Sequence, residues 1–236
     1  MSLTSVINKA IVSFCLFISC IGYTQVDTDE ELGSRETSSV FGSIERQKFV
    51  SFSVGYHIPI SSGNNFVGSA YSGKSGYDLR LKLYVYKQFF MEYNNSISYF
   101  SVDNNALVGN YNKSKFQSNF LYFGYEFLPA PHFRLGVNAA LFGETKMTNT
   151  GFNLSEGFQN DSGQLSSYGL YLAYEIQSQI SLYIDYAFRT VKTNIRAPQE
   201  IESFFSKGNY NTIGVGIMFL LGKRDFISRF TDKKSR

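Results

Sequence analysis

From Val50 to Leu221 apolar and polar residues alternate with a period of two, and the alternation falls into eight runs, each of which predicts a β-strand. In the first, Val50, Phe52, Val54, Tyr56 and Ile58 share one face, and Ser51, Ser53, Gly55 and His57 share the other. The second sets Tyr77, Leu79, Leu81, Leu83 and Val85 against Asp78, Arg80, Lys82 and Tyr84. The third sets Phe89, Met91, Tyr93, Ile97 and Tyr99 against Glu92, Asn94, Ser96 and Ser98. The fourth runs from Leu121 to Phe127 with Tyr122, Gly124 and Glu126 on its polar face, and the fifth from Phe133 to Leu141 with Arg134 on its polar face. The sixth, Tyr168 to Ile176, turns Tyr171 and Glu175 away from its apolar side; the seventh, Ile180 to Arg189, does the same with Asp185 and Arg189. The eighth alternates Ile213, Val215, Ile217, Phe219 and Leu221 with Thr212, Gly214, Gly216, Met218 and Leu220. Runs of about 9–11 residues suffice to cross a bilayer as tilted strands.

The connections come in two kinds. Lys87-Gln88, Pro129 to Pro131 and Gln177 to Gln179 are tight, whereas Pro59 to Ser75, Asp103 to Lys113, Thr148 to Gln164 and Thr193 to Lys207 are long and rich in Gly, Asn and Ser. Short and long connections alternate strictly, as in an up-and-down barrel with short periplasmic turns and long outer loops. All four prolines, Pro59, Pro129, Pro131 and Pro198, fall in these predicted connections, where a missing N–H does no harm to a ladder.

The polar faces decide between a barrel and a soluble sandwich. On them Asp78, Glu92, Glu126, Glu175 and Asp185 nearly balance Arg80, Lys82, Arg134 and Arg189. A sandwich turns its polar face to water and needs no such balance, but charges inside a narrow tube must pair because desolvation is costly. The fold class read from the pattern is all-β, a transmembrane up-and-down antiparallel barrel of about eight strands, with these residues as candidate lumen ion pairs. Composition agrees: aromatic residues make up 17% of the chain without any Trp, and aromatics suit a pleated surface. A mean hydropathy of -0.15 is no objection, since a barrel hides its apolar residues at every second position.

Outside the strands, Lys9 precedes the apolar run Ala10 to Ile21, which is too short for a spanning helix and has the form of a signal peptide, with cleavage near Gln25. An alternative is lipidation at Cys20, in the stretch Leu16 to Cys20. Cys15 and Cys20 are the only cysteines, so a mature chain cut after them has no disulfide or cysteine metal site. The expected organisation is a signal peptide over 1–25, an acidic periplasmic segment over 26–47, the barrel over 48–221 and a basic periplasmic tail over 222–236. In the acidic segment Asp27, Asp29, Glu30, Glu31, Glu36 and Glu45 outnumber Arg35 and Arg46. In the tail Lys223, Arg224, Arg229, Lys233, Lys234 and Arg236 outnumber Asp225 and Asp232, so the two ends could attract each other. The overall formal charge of +3 is too small and too scattered for a nucleic-acid face.

With the repeated Gly-aromatic pairs Gly55-Tyr56, Gly76-Tyr77 and Gly124-Tyr125 and the last strand Thr212 to Leu221 carrying Phe219, the chain resembles the small eight-stranded outer-membrane β-barrel family of gram-negative bacteria. The resemblance covers about Lys48 to Leu221. It implies outer-membrane lipid as surroundings and a final strand whose aromatic end is read by the barrel-insertion machinery. This chain departs from the pattern by continuing through Gly222 to Arg236. The family's fold carries over; its functions are too varied to do so.

Candidate chemistry is sparse. His57 is predicted to face the lumen near the outer end of the first strand, and the pattern offers no serine and acid whose strand position and face meet it. His132 follows Pro131 in a predicted turn and is read as solvated. No His/Cys/Asp cluster has metal-ligand spacing, and no cofactor is implied. The expectation is a non-enzymatic barrel that meets extracellular or periplasmic protein partners through its loops. In that reading Phe66, Tyr71, Phe152 and Phe158 are aromatic anchors among loop Asn and Gly residues. The alternatives are a narrow channel and a lipid A- or phospholipid-modifying membrane enzyme, with the channel disfavoured because side chains fill the interior of an eight-stranded barrel.

Overall fold

The structure, a computed structural model, describes residues 46–151, 158–195 and 198–233. The stretch 1–25 and all but the last two residues of the acidic segment lie outside them. The strands are β1 (Val50–Ser62), β2 (Tyr71–Tyr86), β3 (Phe89–Val102), β4 (Tyr111–Phe127), β5 (Phe133–Ala140), β6 (Gly143–Gly151), β7 (Phe158–Gln177), β8 (Ile180–Thr193) and β9 (Lys207–Leu221). Four short helices, α1 (Phe66–Ala70), α2 (Asn105–Val108), α3 (Glu202–Phe205) and α4 (Phe226–Lys233), lie between or after them.

Every described strand pairing is antiparallel, and the sheet closes on itself as β1 pairs with both β2 and β9. Although nine strands are counted, β5 and β6 are two halves of one: both pair with β4 on one side and β7 on the other. The ring therefore has eight members. The break is a bulge. Ala139 pairs with Phe123 and Gly143 with Phe120, so four steps on this strand match three on β4. Leu141 and Phe142 consequently both point outward, Phe142 at 72% exposure, and the inward parity passes from even to odd residues.

The strands run further toward the long-loop end than the hydrophobic pattern predicts. The expected loops Pro59 to Ser75, Asp103 to Lys113, Thr148 to Gln164 and Thr193 to Lys207 give way to strand at their ends: β1 runs on to Ser62 and β2 starts at Tyr71, β4 starts at Tyr111, β6 runs on to Gly151 and β7 starts at Phe158, and β8 ends at Thr193 with β9 starting at Lys207. The reason is the outer face. Beyond Tyr99, Leu121, Phe142 and Tyr168 it carries Ser101, Asn119, Glu144 and Gln164, so backbone pairing continues after the apolar alternation has stopped. Pro59 accordingly lies inside β1, not in a connection. Its carbonyl edge faces Gly73, past the last β1–β2 pair at His57 and Gly76, so the missing N–H removes no ladder bond.

Below that polar collar the outer face is an apolar band. Val54, Leu79, Tyr93, Phe123, Val137, Leu170, Ile184 and Val215, one from each member of the ring, are all exposed. A continuous apolar belt of this extent is unsuited to water and suited to lipid. On β9 it runs from Ile213 to Leu221, which at about 3.3 Å per residue and a tilt of about 40° spans roughly 20 Å, near the ~25 Å band of membrane barrels. Both described ends of the barrel, Val50 and Leu221, sit side by side at the short-turn end.

Candidate functional site

Each inward parity delivers its polar residues to the lumen, where they form two charged layers below an aromatic plug. Nearest the short turns, Arg134 on β5 lies 2.5 Å from Glu126 on β4 and also bonds Glu175 on β7. The hydroxyls of Tyr84 and Tyr171 donate to Glu126 at 3.0 and 2.5 Å. Arg46, from the chain before β1, reaches Glu175 at 3.3 Å, and its backbone carbonyl accepts from Arg134 at 2.8 Å. It also donates to the carbonyls of Ala130 and Phe133, both at 2.9 Å. Above them Lys82 faces Glu92 at 3.4 Å, donates to Tyr171 at 2.6 Å, and lies over the Phe90 and Tyr171 rings.

In the second layer Asp78 is the hub. It accepts from Arg80 at 3.2 Å and from Arg189 at 3.3 Å, while Arg80 also bonds Asp185. Arg189 further donates to Ser96 at 2.7 Å. All nine candidate lumen residues thus lie in these two layers. The sequence reading missed Arg46, whose guanidinium makes the tally five acids against five bases.

The reading that no serine and acid meet His57 is overturned. His57 Nδ1 lies 2.7 Å from Asp78 on β2, and its Nε2 lies 2.8 Å from Ser98 Oγ on β3. The register makes this reach possible. His57 pairs with Gly76, and Gly76 pairs with Ser98, so the imidazole crosses β2 where there is no side chain. A Cβ on Gly76 would run into the ring. With Nδ1–H donating to Asp78, Nε2 accepts from the Ser98 hydroxyl, which is the bond order of a serine–histidine–aspartate relay. All three side chains are buried, and the aspartate is already shared with Arg80 and Arg189. His132, by contrast, is exposed in its turn.

Immediately above Ser98 the lumen turns apolar. Phe100 and Phe116 pack with ring centroids 4.6 Å apart, Tyr71 and Tyr210 close on them, and Phe66 of α1 caps Tyr71. Phe66 and Tyr71, expected as exposed loop anchors, are instead buried in this plug. They turn inward because α1 is fixed there: Asn65 caps it by accepting from Val67 and Gly68 N–H, both at 3.1 Å. The Phe152 anchor and the Phe158 side chain lie outside the described residues.

No protein-family model matches the sequence, nor does any curated protein. Among solved structures, Neisserial surface protein A superposes with a TM-score of 0.50 at 11% identity, over 72% of this chain and 94% of that one. OprG from Pseudomonas aeruginosa gives 0.49 at 12%, over 78% and 99%, and Ail from Yersinia pestis gives 0.45 at 12%, over 74% and 99%. The chain has the fold of the small outer-membrane β-barrels. At such identity the likeness is one of fold alone. At the mouth of this barrel a cavity of about 140 Å³ lies against the plug residues Phe66 and Tyr71 and is lined further by Leu107, Met147, Asn149 and Asp161. The Tyr71 hydroxyl donates to Asn149 at 3.1 Å. Asp161 accepts from the Gln159 amide at 2.9 Å.

Proposed function

We propose that this chain sits in the bacterial outer membrane with both termini periplasmic and acts as a non-enzymatic surface component whose specificity lies in the connections at its long-loop end. The observation that carries this reading is the occupied lumen. Two layers of paired charge and an aromatic plug fill it, which leaves little passage for solutes in a ring of eight strands. One strand face is committed to lipid and the other to the lumen, so the exposed parts of the connections joining β1 to β2, β3 to β4, β6 to β7 and β8 to β9 are the surface left to recognise protein partners. Reconstituted in planar bilayers, the protein is expected to give no conductance steps. Shortening the four connections one at a time, with assembly verified, is expected to abolish a surface-binding phenotype in at least one case. Conduction by the parent, or four shortened proteins indistinguishable from it, overturns the assignment.

One observation favours a second reading, a membrane hydrolase acting on lipid A or phospholipid: the Ser98–His57–Asp78 relay. A serine-reactive fluorophosphonate tests it on the folded protein. Labelling at Ser98 that disappears in His57→Ala supports the hydrolase, and a folded barrel that takes up no label supports the non-enzymatic reading.

A further inference from the structure

The helix that follows the barrel is built differently from a solvated tail. Gly222, at φ +72, turns the chain sharply after the last lipid-facing residue, Leu221. A side chain there would be strained, and its Cβ would crowd Arg229 Nη2 and Phe49 Cβ at 2.7 and 2.8 Å. Asp225 then starts α4, its carboxylate accepting from the Ser228 N–H at 2.9 Å and from the Ser228 hydroxyl at 2.8 Å. The helix is held to the barrel rim through Phe49. The Phe226 ring stacks on it at 6.4 Å, and the Arg229 guanidinium lies 4.1 Å from its centroid.

Docking does not cover the apolar side of α4. Phe226 is 41% exposed, Ile227 44% and Phe230 61%. Phe226 and Phe230 are one turn apart with centroids 4.9 Å from each other, so they present one surface. That surface follows in the chain on Leu221, where the apolar band of β9 ends, and the helix lies against β2, whose Leu81 and Tyr86 are also exposed. The cations Lys223, Arg224 and Arg229 accompany it. An exposed apolar face beside basic residues, at the edge of a lipid-facing belt, is the composition of a helix lying in a membrane interface.

We propose that α4 is an in-plane membrane helix: Phe226, Ile227 and Phe230 enter the periplasmic-side leaflet at the barrel rim, and Lys223, Arg224 and Arg229 engage anionic phospholipid headgroups. The inference rests on the reading of the barrel as membrane-spanning. Although eight residues are few for independent membrane binding, the barrel holds α4 at the surface, so insertion is an intramolecular step at high effective concentration.

The absence of Trp from the chain makes a direct test available on the full-length protein. Phe230→Trp reports on the helix and Leu170→Trp on the belt, each folded into vesicles of mixed phosphatidylcholine and phosphatidylglycerol with or without brominated acyl chains. The expected result is blue-shifted emission from both, with brominated lipid quenching Phe230→Trp to an extent comparable with Leu170→Trp. Lys223→Gln with Arg224→Gln, introduced into the Phe230→Trp protein, should reduce that quenching. Leaving out phosphatidylglycerol should reduce it to a similar degree. Quenching of Leu170→Trp alone overturns the proposal and leaves the membrane barrel standing, whereas quenching of neither overturns both. If Phe230→Trp is shielded from acrylamide but not quenched by brominated lipid, α4 docks on protein, such as a second copy of this chain, and the lipid assignment is wrong.

Discussion

Arg134 and Glu126 meet 2.5 Å apart across the tight β4–β5 turn, both essentially inaccessible to solvent. Two charges so placed have given up hydration, and each depends on the other for compensation. Glu126 also takes the hydroxyls of Tyr84 and Tyr171, and Arg134 also takes Glu175, so the pair is the centre of a network. Removing one partner, by Glu126→Gln or Arg134→Gln, is expected to destabilise the folded barrel by about 3–5 kcal/mol in urea titrations. The double variant should lose less than the two single losses added together. Parent-like stability of both single variants would show that these groups are hydrated.

Gly76 matters through what it lacks. An added Cβ would overlap the His57 ring and also meet the Ile97 carbonyl oxygen at 2.6 Å. Gly76→Ala is therefore expected to cost about 1–3 kcal/mol, the usual range for overpacking. In a His57→Ala background part of that cost should vanish and the part due to Ile97 should remain. Equal costs in the two backgrounds would mean that the ring does not lie over β2.

The ring and the inward parity of its strands were legible because lipid on one side and a polar lumen on the other impose period two on the side chains. The signal failed where that contrast ends. Past Tyr168 the outer face meets water, so Gln164 reads as loop while its backbone still pairs with Lys192. Phe100 and Phe116 sit among the inward serines Ser96, Ser98, Ser114 and Ser118, where the apolar alternation of the outer face has stopped, so nothing in the pattern marks them as a plug. The contact of His57 with Asp78 and Ser98 depends on cross-strand register, which alternation within one strand does not carry. Arg46 was hidden for a different reason: it lies in an acidic flank whose average charge conceals a single cation that folds back onto Glu175.

The sequence before the described residues supports a separate expectation. We propose that Lys9 followed by Ala10 to Ile21 directs export and that the N-terminus is removed near Gln25. Cys15 and Cys20 are the only cysteines, so material taken from membranes should begin near Val26 by intact mass and should not react with maleimide. A mass that retains Met1 contradicts export processing, and a diacylated Cys20 makes the protein a lipoprotein.

The plug separates filling of the lumen from sealing of it. Phe116 is fully buried, 4.6 Å from Phe100, 5.8 Å from Tyr71 and 5.9 Å from Tyr210 between ring centroids. Phe116→Ala is expected to destabilise the barrel by about 3–5 kcal/mol, because the surrounding strands are hydrogen-bonded on both sides and collapse poorly into the space left. It should nevertheless leave the barrel closed to ions. Below the plug, Arg189 and Arg80, each on its own oxygen of Asp78, and Arg134 between Glu126 and Glu175, still occupy the lumen. An ion would have to displace charges from their own partners to pass. The measurement is single-channel recording of the Phe116→Ala protein alongside the parent. If the variant shows conductance steps that the parent lacks, the charged layers are a hydrated path that only the aromatic rings were blocking, and the barrel is a gated narrow channel whose gate is the plug.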